Sequence, residues 1–139
     1  MLNQPIRRLF ETNKAVTAAP LDKVFDVACL MLERGIGAVM IVENGVLVGI
    51  FTLRDIVFRV VALGRDVRAF GVGEVMMPAP VTIGPDEILG RALLLMREHH
   101  VRHLPVVENG KPIGIVAARD ALDPDPEDFL CERRREALR

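Results

Sequence analysis

The stretch VENGVLVGIFTLRD, from Val42 to Asp55, returns 65 residues later as VENGKPIGIVAARD, from Val107 to Asp120. An internal repeat constrains a fold more tightly than composition does, because the copies must adopt one supersecondary unit and bury similar faces. The same gapless shift lays Pro20 on Pro85, Met31 on Met96, Glu33 on Glu98 and Gly49 on Gly114. The chain reads as two copies of one unit.

Each copy runs in the same order. A short extended piece, 15–18 or 80–83, precedes a helix whose apolar residues recur at three and four: Val24, Val27, Ala28 and Met31, then Ile88, Ala92, Leu95 and Met96. Gly35 suits the left-handed stop of the first helix. Strands are expected at 38–42 and 46–51, and at 104–107 and 112–116. Each pair is joined through Asn-Gly, whose tolerance of positive φ favours a type I′ hairpin. A second helix follows, from Thr52 to about Leu63 and from about Ala118 in the other copy. This is an α+β fold of two β-α-β-β-α repeats. Neither repeat can cover both faces of its short strands, so the two are expected to pack around a pseudo-two-fold axis with a cleft between them. The organisation expected is repeat 1 over 5–63, a polar linker over 64–70, repeat 2 over 71–122, and a helical tail over 123–139. Asp123-Pro124-Asp125-Pro126 sets off that tail, and its arginines read as a solvated helix end.

Composition removes several functions. With 139 residues, half of them apolar and 27% charged, the chain has the make-up of one soluble domain. Its apolar runs fall short of the roughly 18 residues of a membrane span. MLNQPIRRLF lacks the apolar core of a secretory signal, so a cytoplasmic location is expected. Net charge is −1, Trp and Tyr are absent, and six Phe leave little to stack on bases, which argues against nucleic-acid binding. Serine is absent and the four threonines have no adjacent His, so the chain is not expected to be an enzyme. Cys29 and Cys131 are isolated, and Cys29, in an apolar helical stretch, reads as a buried reduced thiol.

A few residues carry chemistry. Thr52-Leu-Arg-Asp55 has the spacing of a capping box, with Asp55 facing the helix dipole. The second copy has Ala117 in place of the threonine yet keeps Asp120. Capping alone therefore accounts for Asp55 but less well for Asp120. A carboxylate at a helix start can also accept both hydroxyls of a ribose, beside N–H groups that suit phosphate. His99 and His103 have the spacing of a metal pair, but the helix should end between them, and no third ligand lies near in sequence. No metal is expected. Gly35-Ile-Gly37 and Gly71-Val-Gly73 lack the strand-to-helix context of a dinucleotide fingerprint.

Taken together, the two units, their Gly-apolar-x-(Thr/Ala)-x-Arg-Asp endings, VGEVMMPAPVTIGPDE and HLPVVENGKPIGIVAARD resemble a tandem cystathionine-β-synthase (CBS) domain pair, or Bateman module, up to about Leu122. The resemblance implies a dimer, head-to-head or head-to-tail, and adenosine-containing ligands in the clefts between repeats. It places Asp55 and Asp120 at ribose positions, Thr52 on the phosphate side, and Arg102 and His103 where a cleft meets phosphate. It also implies a crossing. One cleft would combine Asp120, Arg102 and His103 with Val16, Thr17, Gly37 and Ala38, and the other Thr52 and Asp55 with Val81, Thr82 and the Arg102 side. The first is expected to be the better site, although Ala117 lacks the usual hydroxyl. The function expected is a homodimeric sensor of AMP or ATP, with no required cofactor, that signals occupancy to an unnamed protein. Two alternatives stay open: a ligand-independent assembly module, and a pair that binds S-adenosylmethionine, NAD or coenzyme A.

Overall fold

In the first repeat the chain builds β1 (Thr17–Ala18), α1 (Val24–Arg34), β2 (Ala38–Glu43) and β3 (Val46–Thr52). Next come α2, which opens at Leu53–Asp55 and continues in π-helical form over Ile56–Val61, and β4 (Met77–Pro78). These come from a computed structural model that describes residues 2–9 and 15–121. The described residues divide into two units: one spans 16–80, and in the other the N-terminal segment joins 81–121.

The first unit is a four-stranded sheet in the order β1-β2-β3-β4. β1 runs parallel to β2, with Thr17 opposite Met40, and β2 and β3 form the hairpin. Asn44 and Gly45 turn it at φ 52° and 78°, the two positive values a type I′ turn demands. Val39, Ile41 and Phe51 meet Val24, Val27 and Met31 of α1 and Val60 of the second helix in one core, so both helices cover the same sheet face. Cys29 corrects the sequence reading. With Val24, Val27 and Met31 turned inward, the opposite side of α1 carries Cys29, Phe25 and Leu32, and all three are exposed.

β4 was not expected. It pairs antiparallel with β3, Gly49 opposite Pro78, and a side chain at Gly49 would begin 2.3 Å from Met76 Sδ and 3.0 Å from the Met77 carbonyl. Residues 64–70, read as a linker, also cap a helix. The Phe70 and Val67 carbonyls accept from Val24 N and Phe25 N at 3.0 Å each, which satisfies two of the donors that every helix start leaves open. Val72 N and Gly73 N then donate to the Asp22 and Pro20 carbonyls, at 2.7 and 2.9 Å. Gly73 lies so close to Pro20 that a Cβ would fall 2.9 Å from its ring, which explains the Gly-Val-Gly that sequence alone could only set aside.

The second unit repeats this plan. It contains α3 (Leu89–His99), β5 (His103–Glu108), β6 (Lys111–Ala117) and a 3-10 turn over Ala118–Ala121. Asn109 and Gly110 turn the hairpin at φ 52° and 79°, and Ile83 bridges Val106 in parallel as Ala18 does Ile41. The register slips between Val106 and Val107, where the first hairpin slips between Ile41 and Val42. α1 ends on Gly35 at φ 64°, and α3 ends on His100 at φ 56°. Ile36 N and Val101 N reach back to the Met31 and Met96 carbonyls at 3.0 Å each.

Residues 2–9 do for α3 what 67–73 do for α1. The Gln4 and Leu2 carbonyls accept from Leu89 N and Gly90 N at 3.0 and 2.9 Å, while Ile6 N and Arg7 N donate to the Glu87 and Pro85 carbonyls at 2.9 Å each. Ile6 is fully buried among Ile83, Leu89, Met96 and Leu104. Arg7 pairs with Asp86 and Glu108. Ala92 and Met96 are buried as expected, but the first core position was misread: Leu89 takes it, and Ile88, at the N-cap, is exposed. No helix among the described residues is long and apolar enough to cross a membrane. Leu122, Cys131 and the tail over 123–139 lie outside the described residues.

Candidate functional site

Both copies bring the carboxylate after the hairpin to the same end of the sheet as the residues that follow the first helix. In the first unit Leu53 N donates to the Gly37 carbonyl at 3.1 Å, and Ala38 pairs with Thr52. In the second, Ala118 N donates to the Arg102 carbonyl at 3.0 Å, and His103 pairs with Ala117. The carboxylates close the same loop. Thr52 N donates to Asp55 Oδ2 at 2.9 Å, and Ala117 N donates to Asp120 Oδ2 at 2.7 Å. The conserved backbone bond explains why Asp120 persists without a threonine: it accepts from an N–H, which alanine also has.

Beyond that bond the copies diverge. Thr52 Oγ1 donates to Asp55 Oδ2 at 3.0 Å and accepts from Asp55 N at 3.3 Å, so the capping box is complete. Arg59 Nε stands 3.5 Å from the other carboxylate oxygen. Asp55 is 7% exposed, whereas Asp120 is half-buried. Of the remaining expected residues, Gly37 and Ala38 are buried, Val16 and Val81 half-buried, and Thr17 and Thr82 exposed. The structure thus groups Gly37, Ala38, Thr52 and Asp55 in one unit and Arg102, His103 and Asp120 in the other.

His103 differs from the cationic role the resemblance implied. Burial holds its imidazole down to about 4, and the Arg119 and Arg102 charges push the same way. At neutral pH it is an uncharged imidazole, able to donate or accept a hydrogen bond but bringing no charge to a phosphate. Arg102 is exposed and carries the charge. Arg119 was missed as a site candidate, although the repeated Arg-Asp that ends both copies was a signal for it. Among the described residues, no three His, Cys, Asp or Glu side chains come together in a set that could hold a metal ion.

The CBS domain family model matches residues 6–62 and again 72–124, and the chain belongs to this family as a tandem pair. It is 39% identical over 109 residues to CBS domain-containing protein YhcV of Bacillus subtilis (strain 168), a match that covers 78% of this chain and 77% of that one. A solved protein from Burkholderia ambifaria MC40-6, assigned to signal transduction and containing CBS domains, superposes with a TM-score of 0.79 at 31% identity. That match covers 86% of this chain and 91% of its own. The chain is also 30% identical, over 131 residues, to an inosine-5'-monophosphate dehydrogenase of Korarchaeum cryptofilum (strain OPF8). It covers 26% of that enzyme's length, and 58% of another relative, from Methanopyrus kandleri.

Proposed function

We propose that this CBS pair is a regulatory module that binds an adenine nucleotide, AMP or ATP, and reports occupancy to another protein without performing catalysis. The observation that carries the reading is the placement of Asp120. A half-buried carboxylate is pinned by the Ala117 N–H beside Arg102 and His103, so a ribose acceptor and a phosphate-seeking cation share one end of a sheet. The resemblance implies a crossed arrangement in which Val16, Thr17, Gly37 and Ala38 would complete this preferred site. Thr52, Asp55, Val81 and Thr82 would form the weaker one in that arrangement, because Asp55 is buried and already engaged by Thr52 and Arg59.

Ligand binding shifts a signalling equilibrium only by its unequal affinity for two states. The working unit is a homodimer, and its support is an apolar surface on the first unit: Leu53, Val57, Phe58 and Val61 are each more than half exposed. That surface also favours the second reading, a ligand-independent assembly module whose carboxylates serve only as caps. Calorimetric titration with AMP, ATP, NAD, S-adenosylmethionine and coenzyme A separates the two. Adenylate binding that is lost in Asp120→Ala and kept in Asp55→Ala is the expected result. No heat with any of the five at concentrations that report micromolar affinity would leave the assembly module.

A further inference from the structure

Arg54 and Arg119 occupy equivalent positions, each directly before its copy's carboxylate. Arg54 is exposed and lays its guanidinium over the Phe58 ring, 4.8 Å from the centroid. The residue equivalent to Phe58 in the second copy is Asp123, so the ring that receives Arg54 has no counterpart in the sequence there. Arg119 is instead half-buried, and its Nε is sealed from solvent without a hydrogen-bond partner among the described residues. A buried N–H on a cation that lacks an acceptor costs on the order of 1–3 kcal/mol, and native folds rarely keep one without a use.

The surroundings deepen the need for an anion. Arg102 adds a second guanidinium, the His103 imidazole stays neutral under both charges, and Asp120 Oδ2 is engaged by the Ala117 N–H. We infer that Arg119 grips the phosphate of the bound nucleotide, replacing the hydroxyl that Ala117 lacks. This rests on the adenine-nucleotide reading above. The guanidinium fork suits two phosphate oxygens at once, which a threonine hydroxyl cannot match.

The test uses the full chain, Arg119→Met, and Arg119→Lys, which keeps the charge but not the fork and serves if the methionine variant does not fold. Each is titrated with adenosine, AMP and pyrophosphate, with the His103 ring protons followed by NMR. AMP should bind about tenfold or more tightly than adenosine to the native chain. Arg119→Met should erase that difference and leave adenosine affinity within about twofold, with Arg119→Lys in between. Pyrophosphate should raise the His103 pKa in the native chain and not in Arg119→Met. An AMP-to-adenosine ratio that survives Arg119→Met overturns the inference and leaves the adenylate reading standing. If no nucleoside or nucleotide binds, a pyrophosphate response that depends on Arg119 keeps the anion site and removes the adenylate. No response to pyrophosphate either removes both. Asp123 and Asp125 are a competing source of carboxylate, so their joint conversion to Asn should leave pyrophosphate affinity unchanged. A tenfold rise would make the chain's own acids the occupant and overturn the inference.

Discussion

Repeat 1 and repeat 2 share a turn, a bulge, a helix stop and a carboxylate-closed loop, yet they treat their polar groups in opposite ways. In repeat 1 the carboxylate of Asp55 is met by Thr52 and Arg59, and Arg54 rests on Phe58. In repeat 2 the threonine is an alanine, the ring position is an aspartate, Arg119 keeps a buried donor without an acceptor among the described residues, and burial keeps His103 uncharged at neutral pH. The backbone tolerates both because the one bond it requires, from the residue-52 or residue-117 N–H to the carboxylate, is independent of the side chain at that residue. Duplication therefore fixes the frame and leaves the side chains around it free to diverge between the copies.

The largest expected effect comes from His103, which repeat 1 replaces with Ala38. Its folded pKa lies below the unfolded value, so its contribution is complete above pH 6.5 and is lost as pH falls toward about 4, while the unfolded chain takes up a proton the folded chain refuses. Urea unfolding should show about 2 kcal/mol less stability at pH 5 than at pH 7.5, and His103→Gln should remove most of that slope. A variant curve parallel to the native one would mean that the imidazole charges freely in the fold. Next in size is the cap. Thr52→Ala makes repeat 1 resemble repeat 2 and should cost about 1 kcal/mol in the same assay, whereas Ala117→Thr should recover no more than that. An equal loss from both would show that the second loop has no use for a hydroxyl of its own. The smallest is the helix stop. His100 holds a left-handed conformation that Gly35 holds in repeat 1, so His100→Gly should stabilise by a few tenths up to about 1 kcal/mol. A destabilisation would mean that the imidazole makes a contact worth more than the strain.

Much of this frame was legible in the residues. Asn-Gly twice between apolar runs forecast both turns, Gly35 forecast the end of α1, and Thr52 with Asp55 forecast a reciprocal cap that is present bond for bond. Features set by distant partners were not legible. Nothing local marks Met77–Pro78 as a strand; it forms because Gly49 admits it. Ile88 and Leu89 both satisfy the helical period, and the N-terminal residues, by bonding Leu89 N, decide which one turns inward. Cys29 sits in an apolar run, but that run covers both sides of α1, and only packing shows which side meets the sheet. At the candidate site, Asp120, Arg102 and His103 could be named from sequence, while the neutrality of His103 follows from burial, and only packing shows that Arg119 Nε is sealed without a partner among the described residues.

The docking of residues 2–9 against 83–90 has a consequence for the order in which the protein can be made. On the ribosome the unit spanning 16–80 has all its described parts as soon as residue 80 emerges, whereas residues 2–9, made before it, must wait for nearly the whole described chain before Ile6 can be buried. Until then Ile6 lacks the core residues that bury it. Closing a loop of that length is also the slow kind of contact, so residues 2–9 should be the last of the described residues to gain protection from hydrogen exchange during refolding.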